Sequence, residues 1–248
     1  MSKPRLAYIL PNLFTAASIF TGIVSLTQAA QGHFQGAAWL IFLSLIFDGL
    51  DGRIARLTHT CSRFGLEFDS LADIVAFGVA PALLLYFQLG KDYGRFGILV
   101  SALFVVFGAI RLARFNVTDS CSEPGVFIGL PIPTAAVFIA GWSLLLSSHH
   151  LERYGIVLLV ITLLVAFLMV SNIRYPSFKK IDLNRPMMIK TLVLLTFVAS
   201  LLYLFSSEGL ALLILAYILY GPFRGLRVSW ERHKRLKQVR ERREDKED

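Results

Sequence analysis

The sequence predicts an all-α integral membrane protein, a polytopic bundle of about eight transmembrane helices with both termini in the cytoplasm. Three observations lead there. Of 248 residues, 55% are hydrophobic and only 17% charged, which is more apolar than a soluble globule of this length and too apolar for disorder. The apolar residues gather into runs of about 20, the length that crosses a bilayer as a helix. The 25 Lys and Arg fall almost wholly into alternate loops, as the positive-inside rule requires of a multi-pass protein.

The runs lie at 8–29, 35–57, 66–89, 95–115, 131–148, 154–172, 188–206 and 208–223. The first is too long for a removable signal peptide and lacks a small-residue cleavage site, so it is expected to remain in the protein. With the amino terminus inside, 22 basic residues lie on the cytoplasmic side and Lys91, Arg95 and Arg153 on the other. The net charge of +8 is then a matter of topology, and no nucleic-acid partner is needed to explain it. These spans leave no room for a separate soluble domain: residues 1–223 form the membrane domain and 224–248 a charged cytoplasmic tail. That tail holds ten basic and six acidic residues and suits a solvated helix end near anionic headgroups. Cys61 and Cys121, the two cysteines, supply neither a disulfide framework nor the roughly four ligands of a closed zinc site.

Acid inside apolar sequence carries the functional information. Asp48 and Asp51 end the run that begins at Trp39, and Asp69 and Asp73 open the next. A carboxylate at membrane depth costs about 2.5–3.5 kcal/mol even on the lenient insertion scale. Spacings of i,i+3 and i,i+4 put each pair on one face of its helix, so two adjacent antiparallel helices aim four carboxylates at one spot. Such a cluster calls for a cation, and hard oxygen donors without a His or Cys cluster select Mg²⁺, Mn²⁺ or Ca²⁺. The alternative is four boundary residues reaching water beside Arg53, Arg56 and Arg63. Gly49, Gly52, Ala55 and Gly65 among the acids either let helices approach or leave room for a ligand against the backbone, with Arg56 one turn beyond Gly52 in reach of a phosphate.

The string Asp48-Gly-Leu-Asp51-Gly52-Arg-Ile-Ala55-Arg56, eight further residues, then Gly65-Leu-Glu-Phe-Asp69-Ser-Leu-Ala-Asp73 matches the signature of the CDP-alcohol phosphatidyltransferase family at every fixed position. The stretches Pro11-Asn12-Leu-Phe-Thr15, Ser70 to Pro81, Arg111-Leu-Ala-Arg114-Phe-Asn116 and Gly129-Leu-Pro131-Ile-Pro133 resemble the serine-using branch of that family, and the likeness runs to about residue 180. The resemblance implies two divalent cations, Mg²⁺ or Mn²⁺, held by Asp48, Asp51, Asp69 and Asp73. It also implies Asp73 as general base, and a homodimer. The donor would be CDP-diacylglycerol and the acceptor L-serine, giving phosphatidylserine and CMP at the cytoplasmic face of the cell membrane, with the lipid tails left in the bilayer.

Asn12, Thr15, Gly52, Ala55, Arg56 and Gly65 are the expected CDP-diacylglycerol contacts. Arg111, Arg114 and Asn116 are candidates for serine, since a guanidinium fork suits a carboxylate; the same arginines also suit interfacial anchors. The loop from Thr118 to Pro131 is placed to cover that pocket. The donor signature leaves the acceptor open to glycerol 3-phosphate, an inositol compound or choline. From another class, a cation transporter would use intramembrane carboxylates but has no reason for the glycines and Arg56 at those offsets. No metalloprotease, G-x-S-x-G or Walker sequence occurs.

Overall fold

The computed structural model describes residues 6–58, 60, 62–118, 126–149, 152–176, 209, 212 and 214–223. Six helices are followed by a seventh, shorter one. They are α1 (Leu6–Ala30) and α2 (Phe34–Leu57), α3 (Arg63–Gln88), α4 (Arg95–Thr118), α5 (Ile132–His149), α6 (Gly155–Val170) and α7 (Ile214–Phe223). Among the described residues the structure of this multi-pass membrane protein is all-helical apart from a small antiparallel ribbon, β1 (Val126–Ile128) with β2 (Arg174–Pro176).

Within α1, Ile9–Ala30 is long and apolar enough to cross a membrane, as are α3, α4 and α5. Helix α2 has the length, but Asp48, Asp51, Arg53 and Arg56 occupy its final turns. The expected span 188–206 and the tail 224–248 lie outside the described residues. Large apolar side chains such as Phe20, Trp39, Leu71, Ile98 and Phe167 are exposed, as surfaces facing lipid tails require, while Phe77, Phe104, Phe138, Leu84 and Ile139 fill the centre.

Helices α1 and α2 make the most extensive contact, turning at Gly32, whose φ of +85° is open to glycine at little cost. Hydroxyls stitch them together: Thr21 Oγ1 and Ser44 Oγ lie 2.7 Å apart, and Ser25 Oγ donates to the Ala37 carbonyl at 2.7 Å. In lipid, where apolar contact alone gives little association, such interhelical bonds fix register.

Helix α3 begins on Ser62, whose hydroxyl accepts from the Gly65 amide at 3.0 Å. Residues Ile74–Val79 wind as a π-helix just ahead of Pro81, which has no N–H to give and whose ring crowds the preceding turn. The π turn lies against α1 where a Cβ on Gly22 would fall 2.9 Å from Ala76 Cα. Farther along, Gln88 Nε2 donates to the Ser143 carbonyl at 3.2 Å and to Ser147 Oγ at 3.0 Å, fastening α3 to α5.

Candidate active site

One end of the bundle collects the acids. The last turns of α2 carry Asp48 and Asp51, the first turns of α3 carry Asp69 and Asp73, and the hinge between them is short. Thr58 helps tie that hinge: its Oγ1 donates to the Ile54 carbonyl at 2.7 Å and lies 2.7 Å from Thr60 Oγ1. Carboxylate oxygens of Asp48, Asp51 and Asp69 lie within 4.8 Å of one another. Asp73 joins them from deeper in the bundle, 9% exposed, in a side-chain hydrogen bond with Asp48 and within electrostatic reach of Asp69. Two ionised carboxylates do not make that contact without a proton or cation between them.

This donor set fits a divalent cation. It consists of hard oxygens at ligand-like spacing, and one buried oxygen, Asp73 Oδ1, has no hydrogen-bond partner. Asp51, 5% exposed, is oriented from α1, where Thr15 Oγ1 donates to its Oδ2 at 2.6 Å. A hydroxyl that holds a ligating carboxylate in this way fixes its aim.

The expected donor contacts gather around the same end. A Cβ built on Gly49 meets nothing within 4 Å, and one on Gly52 meets only the Arg56 Nη2 at 4.0 Å. The backbone face beside the acids is therefore open, with the exposed guanidinium of Arg56 at its rim. Ala55 is partly buried one turn past Asp51. Gly65 stands where a side chain would come within 3.6 Å of Asn12 Oδ1, so its bareness leaves room for that amide.

The three serine candidates separate. Arg111, 6% exposed, sits within electrostatic reach of Asp73, its guanidinium 5.6 Å from the Phe115 ring centroid. Arg114 turns instead to the end of α6: Nη1 donates to the Val170 carbonyl at 2.9 Å, and Nη2 to the Ile128 and Ser171 carbonyls at 3.1 Å each. A cation at a helix C-terminus satisfies carbonyls that the helix leaves open. Asn116 Nδ2 donates to Ser70 Oγ at 3.0 Å and to Glu67 Oε2 at 3.4 Å, bracing α3 against α4 beside Asp69. Of the covering loop, Thr118 and residues 126–131 are described, and Arg114 ties its strand β1 to the end of α6. Ser70 and Glu67 had no role of their own in the sequence reading, although both lie inside the stretches that carry the family resemblance.

A sequence model of the CDP-alcohol phosphatidyltransferase family matches residues 8–168. The chain belongs to that family. The match takes in all four acids, Thr15, Arg111 and Arg114. Among similar proteins is the CDP-diacylglycerol–serine O-phosphatidyltransferase of Helicobacter pylori (strain ATCC 700392 / 26695), 50% identical over 88% of this chain and 92% of its own. The protein of the same name from Methanocaldococcus jannaschii is 37% identical over 72% of this chain and 79% of its own. The archaetidylserine synthase of Methanothermobacter thermautotrophicus is 38% identical over 67% of this chain and 69% of its own. The family uses divalent metal ions, and this chain has a cluster of acids that could hold one.

Proposed function

We propose that the protein transfers the phosphatidyl group of CDP-diacylglycerol to the hydroxyl of L-serine, releasing phosphatidylserine and CMP. The observation that carries this is the Asp48, Asp51 and Asp69 cluster with buried Asp73 beside it, in a chain that is 50% identical along most of its length to a CDP-diacylglycerol–serine O-phosphatidyltransferase. That the archaetidylserine relative also has serine in its name supports serine over glycerol 3-phosphate, inositol or choline acceptors.

Two divalent cations, Mg²⁺ or Mn²⁺, held by Asp48, Asp51, Asp69 and Asp73, would neutralise the diphosphate and ease departure of CMP. Asp73 accepts the proton of the serine hydroxyl as that oxygen bonds to phosphorus and the bond from phosphorus to the CMP oxygen breaks. Its partnerless Oδ1 is the acceptor atom in this reading. Thr15 keeps Asp51 aimed, and the open face at Gly49 and Gly52 takes the cytidine diphosphate, with Ala55, Gly65 and Asn12 as its walls and Arg56 at its phosphate. Arg111 receives the serine carboxylate. Little covalent chemistry falls to the protein in such a transfer; position and charge do most of it.

The proposal sets the site at the cytoplasmic face of the cell membrane, as the 22-to-3 division of basic residues favours, and takes a homodimer as the working unit. The test is CMP release from CDP-diacylglycerol by purified protein with Mg²⁺ or Mn²⁺ against a panel of acceptors. Release should require serine. Equal release with glycerol 3-phosphate, inositol or choline would remove the acceptor assignment while leaving the donor chemistry.

A further inference from the structure

We infer that Asn116 is a positioning residue, which holds Asp69 in register with the other acids of the cluster by gripping the turn of α3 that carries it. This rests on the reading of those acids as cation ligands given above, and moves Asn116 from the acceptor's side of the reaction to the cation's.

One carboxamide spans that turn. Asn116 Nδ2 donates to Ser70 Oγ at 3.0 Å and to Glu67 Oε2 at 3.4 Å, so both of its N–H groups are directed at α3. Glu67 and Ser70 stand three residues apart and share a face of the helix, with Asp69 between them in the chain. Ser70 Oγ also reaches back to the Leu66 carbonyl at 3.1 Å, so a hold on that hydroxyl is passed to the helix backbone.

A brace needs a fixed base. Asn116 lies in the last turn of α4, which Arg114 fastens to the end of α6 through the Val170 and Ser171 carbonyls. The acid-bearing turns Arg63–Asp73 pack chiefly on α1, and the amide ties them to this second helix. Rotating a helix by about 20° moves an oxygen about 6 Å from its axis by about 2 Å. Ligand distances at a metal hold to about 0.2 Å. Carboxylate oxygens of Asp48, Asp51 and Asp69 lie within 4.8 Å of one another, and a small rotation at Asp69 is enough to spoil that set.

The test is Mn²⁺ binding by the purified full-length protein in detergent, read from the electron paramagnetic resonance signal of the free ion with neither substrate present. Asn116→Leu keeps a branched side chain of similar shape and removes both donors. Its Mn²⁺ Kd should rise about tenfold, while the serine KM at saturating Mn²⁺ stays within about twofold of wild type. A misfolded fraction lowers the number of sites and leaves the Kd of the folded fraction as it is. Because the amide acts in part through Ser70, Ser70→Ala should weaken binding too, and the double variant should lose less than the product of the single losses. A Kd within about twofold of wild type in Asn116→Leu, or single losses that multiply in full, overturns the assignment. A raised serine KM with an unaltered Kd also overturns it and returns Asn116 to the acceptor. A wild type that binds no Mn²⁺ overturns the inference as well, and if its CMP release needs no divalent cation, the cation reading falls with it.

Discussion

Thr15 on α1 donates a hydrogen bond of 2.6 Å to Asp51 Oδ2 on α2, so a helix that brings no acid to the cluster still governs the aim of one. The same hydroxyl also reaches back to the Pro11 carbonyl at 3.2 Å, which holds its rotamer. Thr15→Val keeps the shape and removes both bonds. The expected result is a rise of roughly 10- to 100-fold in the Mg²⁺ or Mn²⁺ concentration needed for half-maximal activity. Thr15→Ser should restore most of it. Metal titration of CMP release on the two variants checks this, and equal titration curves for wild type and Thr15→Val would break the link between the hydroxyl and the cation.

Asp73→Asn should lose nearly all turnover and keep much of its affinity for CDP-diacylglycerol, because three carboxylates remain to hold cations while the proton acceptor is gone. Donor binding measured separately from turnover distinguishes the two roles. Wild-type turnover in this variant would remove Asp73 as base.

The two arginines of α4 should part company. Arg111→Lys keeps the charge and loses the planar fork, so the serine KM should rise by about ten- to hundredfold with little change for the donor. Arg114→Lys should act chiefly on stability, lowering the thermal unfolding midpoint in detergent, since Arg114 binds carbonyls at Ile128, Val170 and Ser171. Opposite behaviour, with Arg114 governing serine and Arg111 governing stability, would reverse the assignment.

Gly22→Val should destabilise the protein by about 1–3 kcal/mol, the usual cost of overpacking, because the first added carbon already falls 2.9 Å from the Ala76 backbone. A lowered midpoint with cation dependence unchanged in the folded fraction is the expected pattern. An unaltered midpoint would mean that α1 and α3 approach less closely than described.

The carboxylate cluster was legible from sequence because helical periodicity is local: offsets of three and four residues place Asp48 with Asp51, and Asp69 with Asp73, before any tertiary contact is considered. Four expected spans were legible because long apolar runs are equally local, the runs 8–29, 66–89, 95–115 and 131–148 appearing as Ile9–Ala30, Arg63–Gln88, Arg95–Val117 and Ile132–His149. Contacts set by helix rotation were not. Arg111 and Arg114 are three residues apart and look alike in sequence, yet one lies within electrostatic reach of Asp73 and the other binds carbonyls of Ile128, Val170 and Ser171. The ribbon of Val126–Ile128 with Arg174–Pro176 depends on the docking of α6, and nothing in those short segments announces it.

The π turn at Ile74–Val79 makes the length of α3 a separate variable from its chemistry. It sets the angular phase between two halves with different duties, Asp69 and Asp73 before it and Gln88 after it. The same residues wound as ordinary α-helix would rotate one half against the other by about 100°. Either the acids would swing from their cluster or Gln88 would leave Ser143, although every side chain with a role in the site was still present. A chimera joining the acid-bearing half of this helix to the distal half of a relative's must therefore conserve the number of residues between those two points before it conserves their identity.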